Sequence, residues 1–185
     1  MDSRRVMTTL VLAVATLAVF FVSGDACDNI PSLTWNMTCA MACKTPQLFD
    51  VCHEILKNAP YISAMTVYAT VAARRATKAY DDTVFQMAKI VAGGLPGEER
   101  AAYLSCTDRY ATARIQMVAA ADDMDGCKFA RTTQEYDVAV AAVKTCGEKL
   151  AAGWPLVADV AADLDVTTVA ANLGGLVISR SSSKP

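Results

Sequence analysis

Residues 61–97, YISAMTVYATVAARRATKAYDDTVFQMAKIVAGGLPG, decide the fold of this chain. Apolar and small side chains recur in this stretch at steps of three and four residues, which places them on one face of an α-helix. The members of that face are Ile62, Met65, Ala69, Ala72, Ala76, Tyr80, Val84, Met87 and Val91. Glycine and proline at 93–97 end the pattern. The segment from Tyr61 to Val91 therefore predicts one helix about 45 Å long, at about 1.5 Å per residue.

A second helix is predicted from Glu98 to about Asp125. Glu98 and Glu99 lie in its first turn, where the positive end of the helix dipole favours negative charge. Its apolar stripe is widened by three further residues, so that the predicted inward set is Tyr103, Cys106, Tyr110, Ala113, Met117, Ala120 and Met124 together with Leu104, Ile115 and Val118.

Two more helices follow in the sequence. The third runs from about Thr132 to Ala152 and ends before glycine and proline at 153–155. After a looser stretch, Asp165 is predicted to cap the fourth, in which Gly174 and Gly175 each weaken the helix by roughly 1 kcal/mol relative to alanine. Close packing against a neighbouring helix is expected to offset that loss.

Four amphipathic helices joined by short turns cannot bury their apolar stripes singly. They are therefore predicted to pack as an all-α, up-down-up-down four-helix bundle over residues 61–180. Residues 27–60 precede the bundle, and 27–180 are expected to form one domain, since 185 residues suit a single core.

The first 26 residues have the pattern of a signal peptide. Arg4 and Arg5 precede an uncharged run from Val6 to Val22, and small residues at 23–26 suit a signal peptidase. The alternative is a permanent membrane anchor, which needs about 20 apolar residues. The polar C-terminus carries no retention signal, so secretion is expected, and Asn36 in Asn36-Met37-Thr38 is a candidate glycan acceptor.

Charge and histidine content exclude several function classes. The chain has 17 basic and 19 acidic residues, so it lacks the basic excess needed to bind nucleic acid or a polyanionic polysaccharide by charge. Its one histidine, His53, makes catalytic triads hard to assemble. A hydrolase is therefore disfavoured, and a protein partner is expected. We also expect no cofactor and, after signal cleavage, no membrane contact.

The seven cysteines are expected to form disulfides in an exported protein. Cys106 and Cys146 lie at similar heights on neighbouring antiparallel helices and can pair. Cys43 and Cys52 bracket a turn at Pro46, which favours a local disulfide between them.

The other three cysteines have no predicted partner, and an odd total leaves at least one thiol free or paired between chains. They are Cys27, Cys39 and Cys127. The alternative is a metal site of three thiolates and His53, drawn from Cys39, Cys43 and Cys52, which an oxidising compartment disfavours.

Three segments resemble the plant pectin methylesterase inhibitor and invertase inhibitor family. They are Cys43-Lys44-Thr45-Pro46 with Cys52 and Leu56, residues 103–110 (YLSCTDRY) with Ala113, and Ala141-Ala142 followed by Cys146. The resemblance implies a helical N-terminal hairpin over 27–60, and bridges Cys43–Cys52 and Cys106–Cys146. It also implies a protein without catalysis, secreted to the apoplast or cell wall, that covers the active-site cleft of a cell-wall enzyme in a one-to-one complex.

The leading target is pectin methylesterase, and the alternative is acid invertase. Invertase inhibitors share a Pro-Lys-Phe tripeptide, to which Cys127-Lys128-Phe129 is similar. Lys128 and Phe129 are therefore candidate target-binding residues, unless Phe129 only packs the end of the bundle. Asp81, Asp82, Asp108 and Arg109 are interpreted as ordinary solvated charges.

A carrier of an apolar ligand is the alternative of another class. It would need a cavity lined by Met65, Met87, Met117 and Met124, whereas alanine-dense faces predict close helix approach and little room.

Overall fold

A computed structural model describes Cys27 and residues 30–182. The predicted signal peptide, residues 1–26, lies outside the described residues. The chain begins with strand β1 (Ser32–Thr34), helices α1 (Trp35–Ala42) and α2 (Pro46–Leu56), and strand β2 (Ile62–Ala64). Four long helices follow: α3 (Met65–Ala92), α4 (Gly97–Asp125), α5 (Thr132–Lys149) and α6 (Val157–Ser181).

The four long helices form the predicted bundle. Each packs against the next along the chain, and α3 also packs against α6, which closes the ring. Short turns between consecutive helices make neighbours antiparallel. The all-α, up-down-up-down four-helix bundle with an N-terminal helical hairpin is therefore confirmed, with α1 and α2 lying against α6 and α2 also touching α3.

The bundle begins at Met65, four residues after the predicted start at Tyr61. Ile62, expected on the inner face of α3, lies in β2 and is 63% exposed. Its strand pairs antiparallel with β1 in the register Thr34↔Ile62. The hydroxyl of Tyr68 lies 2.9–3.1 Å from the carbonyl oxygens of Leu33, Pro60 and Tyr61, so it holds both strands to the start of α3.

Helix α6 begins eight residues before the predicted cap at Asp165. Leu156 adopts a left-handed conformation (φ 68°) directly before the helix, and Gly153 (φ 88°) also has a positive φ in the turn after α5. Asp165 is therefore inside α6, where its carboxylate accepts a 2.6 Å hydrogen bond from Gln47 of α2. Helix α6 is long and apolar enough to cross a membrane by length and composition, but Val169, Leu173 and Val177 are buried in the bundle.

Alanine and glycine allow the helices to approach closely. A Cβ at Gly174 of α6 would overlap the ring of Tyr136 of α5, so the glycine leaves room for that ring. Gly175, one residue on, has open space around it. The expectation that close packing accompanies these glycines is therefore confirmed for Gly174.

A polar network crosses the core between α3, α4 and α6. The carboxylate of Asp163 accepts hydrogen bonds of 2.7 Å from Thr83 and 2.8 Å from Tyr110. The hydroxyls of Tyr80 and Thr167 share a 2.7 Å hydrogen bond beside it. Burial raises the pKa of Asp163, although the two donors act in the opposite direction.

Three disulfides join the described residues: Cys27–Cys127, Cys39–Cys52 and Cys106–Cys146. The predicted pair Cys106 and Cys146 is joined. The prediction that Cys43 pairs with Cys52 is wrong, because Cys39 faces Cys52 across the hairpin at a Cα–Cα distance of 5.8 Å. Cys43 follows the last residue of α1 as a buried free thiol.

Candidate target-binding surfaces

Lys128 and Phe129 lie in the turn between α4 and α5. The turn is fixed on both sides, since the N–H of Lys128 donates to the carbonyl of Asp123 (2.9 Å) and Cys127 is bridged to Cys27. Cys127 has φ 56°, which turns the chain sharply after the helix. The two candidates are therefore presented on a rigid end of the bundle.

The two side chains of this turn point to different surroundings. Lys128 is exposed, whereas Phe129 is half-buried and packs against the hydrophobic core. Packing of this kind is what an aromatic residue that caps the end of a bundle provides. Of the two residues, only Lys128 is exposed to solvent.

A second candidate surface is the outward-facing side of α3 and α4, hereafter the α3–α4 outer face. It carries four large apolar side chains that solvent reaches: Phe85 (59% exposed), Leu104 (48%), Ile115 (65%) and Val118 (38%). Two shallow grooves lie between the helices, one beside Tyr80 and Tyr110 and one beside Val118. Exposed apolar side chains of this size are typical of protein interaction sites when they gather on one face.

Paired charges surround these apolar residues. Arg114 of α4 contacts Asp81 of α3 at 2.7 Å, and this carboxylate raises the pKa of Arg114. Lys78 contacts Asp82 at 2.9 Å, and the ammonium of Lys89 lies 4.3 Å from the centre of the Phe85 ring. Asp108 and Arg109 are exposed, as expected of solvated charges. The face is therefore polar at its charged pairs and apolar between them.

The sequence pattern missed this face. Leu104, Ile115 and Val118 were expected to widen the buried stripe of α4, and that prediction is wrong. The inner side of α4 is already filled by seven fully buried residues, which are Tyr103, Cys106, Tyr110, Ala113, Met117, Ala120 and Met124. Because those seven residues alone satisfy the 3.6-residue period, the three extra positions turn towards solvent.

The remaining candidate residues lie on or near the hairpin. Asn36 is exposed in the first turn of α1, while Thr38 of the same sequon is buried. His53 of α2 packs edge-on against Trp35 at 4.8 Å. Within residues 30–182 and Cys27, no cluster of histidine, cysteine and carboxylate side chains is suited to a metal ion, and Cys39 and Cys52 are bonded to each other.

The methionines that a ligand carrier would use are in the packed core. Met87, Met117 and Met124 are 0% exposed and Met65 is 1% exposed. Fully buried, unbranched side chains fill gaps between helices. Their burial places them in the interior, away from the surface grooves.

The sequence matches no protein-family model and none of the curated proteins. Its structure is similar to a mutant form of a pectin methylesterase inhibitor from Arabidopsis, with a TM-score of 0.66 and 16% identity over 76% of this chain and 96% of that one. A second crystal structure of a pectin methylesterase inhibitor from Arabidopsis thaliana gives 0.54 and 17% identity over 80% and 96%. The shared fold therefore spans nearly the whole of both inhibitors.

Proposed function

We propose that this chain is a secreted inhibitor of pectin methylesterase, which it blocks by forming a one-to-one complex over the active-site cleft. The observation that carries the proposal is the fold shared with pectin methylesterase inhibitors over 96% of their length. A rigid, disulfide-linked bundle with a filled core offers its exterior for binding. An inhibitor of this kind needs a shape that matches the enzyme and no catalytic group of its own.

The α3–α4 outer face is the surface we assign to the target. An enzyme surface that covers its apolar side chains stabilises the complex by about 25 cal/mol per Å² of apolar area buried. The charged pairs around them, such as Asp81 with Arg114, supply hydrogen-bonding groups for a polar rim. Ile115 is the best anchor because 65% of its side chain and backbone surface is open to solvent.

Acid invertase is the second candidate target. The observation in its favour is the exposed cation of Lys128 on a turn fixed by a disulfide. Phe129 supports this proposal less, because it packs against the core. An inhibitor that used this turn would bind through the end of the bundle instead of the side.

Inhibition assays distinguish the two targets. The purified, oxidised protein is titrated into separate pectin methylesterase and acid invertase assays, and light scattering gives the mass of any complex. We expect pectin methylesterase to be inhibited and the complex to contain one copy of each protein. Loss of invertase activity alone would transfer the assignment to invertase, and loss of neither would leave only the fold.

Matched variants locate the binding surface. Ile115→Glu is expected to weaken inhibition at least about tenfold, equivalent to about 1.4 kcal/mol, because it introduces a charge at the anchor. Ala161→Glu adds the same charge at an exposed position of α6 and serves as the control. The double variant Lys128→Ala/Phe129→Ala should spare pectin methylesterase inhibition. Equal inhibition by wild type and Ile115→Glu would reject the α3–α4 outer face.

Secretion to the apoplast and glycosylation are part of the proposal. They are supported by the predicted signal peptide, by three disulfides, and by the exposure of Asn36. We expect the secreted protein to begin at Cys27 and to lose mass on glycosidase treatment. Asn36→Gln should abolish that mass change, and an unchanged wild-type mass would reject the glycan.

A further inference from the structure

Three cysteines share the N-terminal hairpin, and only two of them are joined. Cys39 and Cys52 form the disulfide and are 0% exposed, while the free thiol of Cys43 is 7% exposed. The N–H of Cys43 donates to the carbonyl of Cys39 at 2.9 Å, which is the hydrogen bond of one helical turn. The free thiol is thus one turn of α1 away from a bonded sulfur and on the same buried side.

The connection between α1 and α2 is long enough to bring Cys43 to Cys52. Cys52 lies six residues after Pro46, or about 9 Å along α2, and disulfide-bonded residues have Cα atoms about 5.5 Å apart. With these two distances at right angles, the Cα atoms of Cys43 and Pro46 must lie about 10.5 Å apart. The three residue steps between them span at most about 10–11 Å. Cys43 (ψ 115°) and Thr45 (ψ 147°) already have extended backbones, as this reach demands.

We propose that the hairpin exchanges between two disulfides, Cys39–Cys52 and Cys43–Cys52. In the forward step, the Cys43 thiol loses its proton and the thiolate attacks the sulfur of Cys52. The Cys43–Cys52 bond forms as the Cys39–Cys52 bond breaks, and Cys39 leaves as a thiolate that takes up a proton. One disulfide and one thiol are present before and after, so the exchange needs no oxidant or reductant.

The exchange shifts α1 relative to α2 by about one helical turn. Bringing Cys43 to the present position of Cys39 displaces the end of α1 by about 6 Å relative to α2. Strand β1 directly precedes α1, and its Leu33 carbonyl lies 3.0 Å from the Tyr68 hydroxyl, so the shift strains the β1–β2 pairing. The Cys27–Cys127 bridge limits how far this segment travels. The two pairings therefore give the hairpin two registers on an unchanged bundle.

Thiol labelling after incubation tests the exchange in the full mature protein. Burial raises the pKa of the Cys43 thiol, so the protein is held for days at about pH 8.5 to supply thiolate. It is then quenched in acid, alkylated, and digested under acidic conditions for mass spectrometry. We expect the alkyl group on Cys39 in at least roughly 1% of molecules, which lies within the range of a minor state. The Cys27–Cys127 and Cys106–Cys146 disulfides should stay intact.

Two variants complete the test. Cys43→Ser lacks the attacking thiol, so Cys39 should stay unlabelled. Labelling of wild-type Cys39 that is independent of protein concentration excludes exchange between molecules. Cys39→Ser should form Cys43–Cys52 within a folded bundle. Wild type labelled only at Cys43 would overturn the proposal, as would Cys39→Ser that folds with both remaining hairpin thiols free. If Cys39→Ser does not fold, labelling of the wild type against Cys43→Ser still decides.

Discussion

Asp163 is a carboxyl group within the core, and its protonation is coupled to folding. Burial raises its pKa above the usual 3.8, the hydrogen bonds from Thr83 and Tyr110 lower it, and the charges of Asp159 and Asp82 raise it further. Because the folded state binds this proton more tightly than the unfolded state, its contribution to stability is fully present below the unfolded pKa. That contribution is lost as the pH rises through the folded pKa.

Asp163→Asn should remove this pH dependence. The amide oxygen can still accept from Thr83 and Tyr110, but it does not titrate. Above about pH 3.8, the free energy of unfolding of wild type should fall relative to the variant, by at most about 1.4 kcal/mol per pH unit. Urea unfolding over a pH series measures the difference. Asp108→Asn, at an exposed position, is the control, and identical profiles for wild type and Asp163→Asn would contradict the prediction.

The adjacent glycines of α6 are a matched pair at the scale of one helix. Gly174→Ala should destabilise the fold by about 1–3 kcal/mol, because the new methyl group overlaps the Tyr136 ring and forces repacking. Gly175→Ala should stabilise it by up to about 1 kcal/mol, since its Cβ meets nothing and alanine favours the helix. Thermal and urea unfolding measure both. Equal effects of the two substitutions would show that helix propensity, and not packing against α5, sets the outcome.

Periodicity predicts the elements of the bundle well because burial acts on a whole stripe at once. The seven inward residues of α4 and the turn at Gly126 were all identifiable from spacing. The start of α6 was not, because it depends on Leu156 adopting φ 68°, a conformation that no local sequence preference favours. Strands β1 and β2 escaped prediction because three residues are too few to show a period of two.

The candidate sites were less predictable than the helices. Cys39 and Cys43 differ by one turn of the same helix, so spacing alone does not decide which of them meets Cys52. The outer face of α4 was missed for a different reason. At 100° per residue, Leu104 and Ile115 lie on the side of α4 opposite the seven buried residues, and only their apolar character suggested burial.

At the scale of the whole molecule, each of the three disulfides joins a different pair of segments. Cys106–Cys146 ties α4 to α5 inside the bundle, and Cys39–Cys52 closes the hairpin. Cys27–Cys127 joins the start of the described chain to the turn between α4 and α5 across 100 residues. The hairpin is thereby fastened to the bundle at its N-terminal end, where the strand pair and Tyr68 also hold it.

The length of the loop that each disulfide closes should set the order of the three disulfides' contributions to stability. In the chain-entropy model, the separations of 100, 40 and 13 residues correspond to about 4.7, 3.9 and 2.9 kcal/mol. Three double variants, each with one pair replaced by serine, are compared with wild type by urea unfolding under oxidising conditions. Cys27→Ser/Cys127→Ser should lose the most and Cys39→Ser/Cys52→Ser the least. The reverse order would mean that packing around Cys39 and Cys52, both fully buried, outweighs the restriction of the unfolded chain.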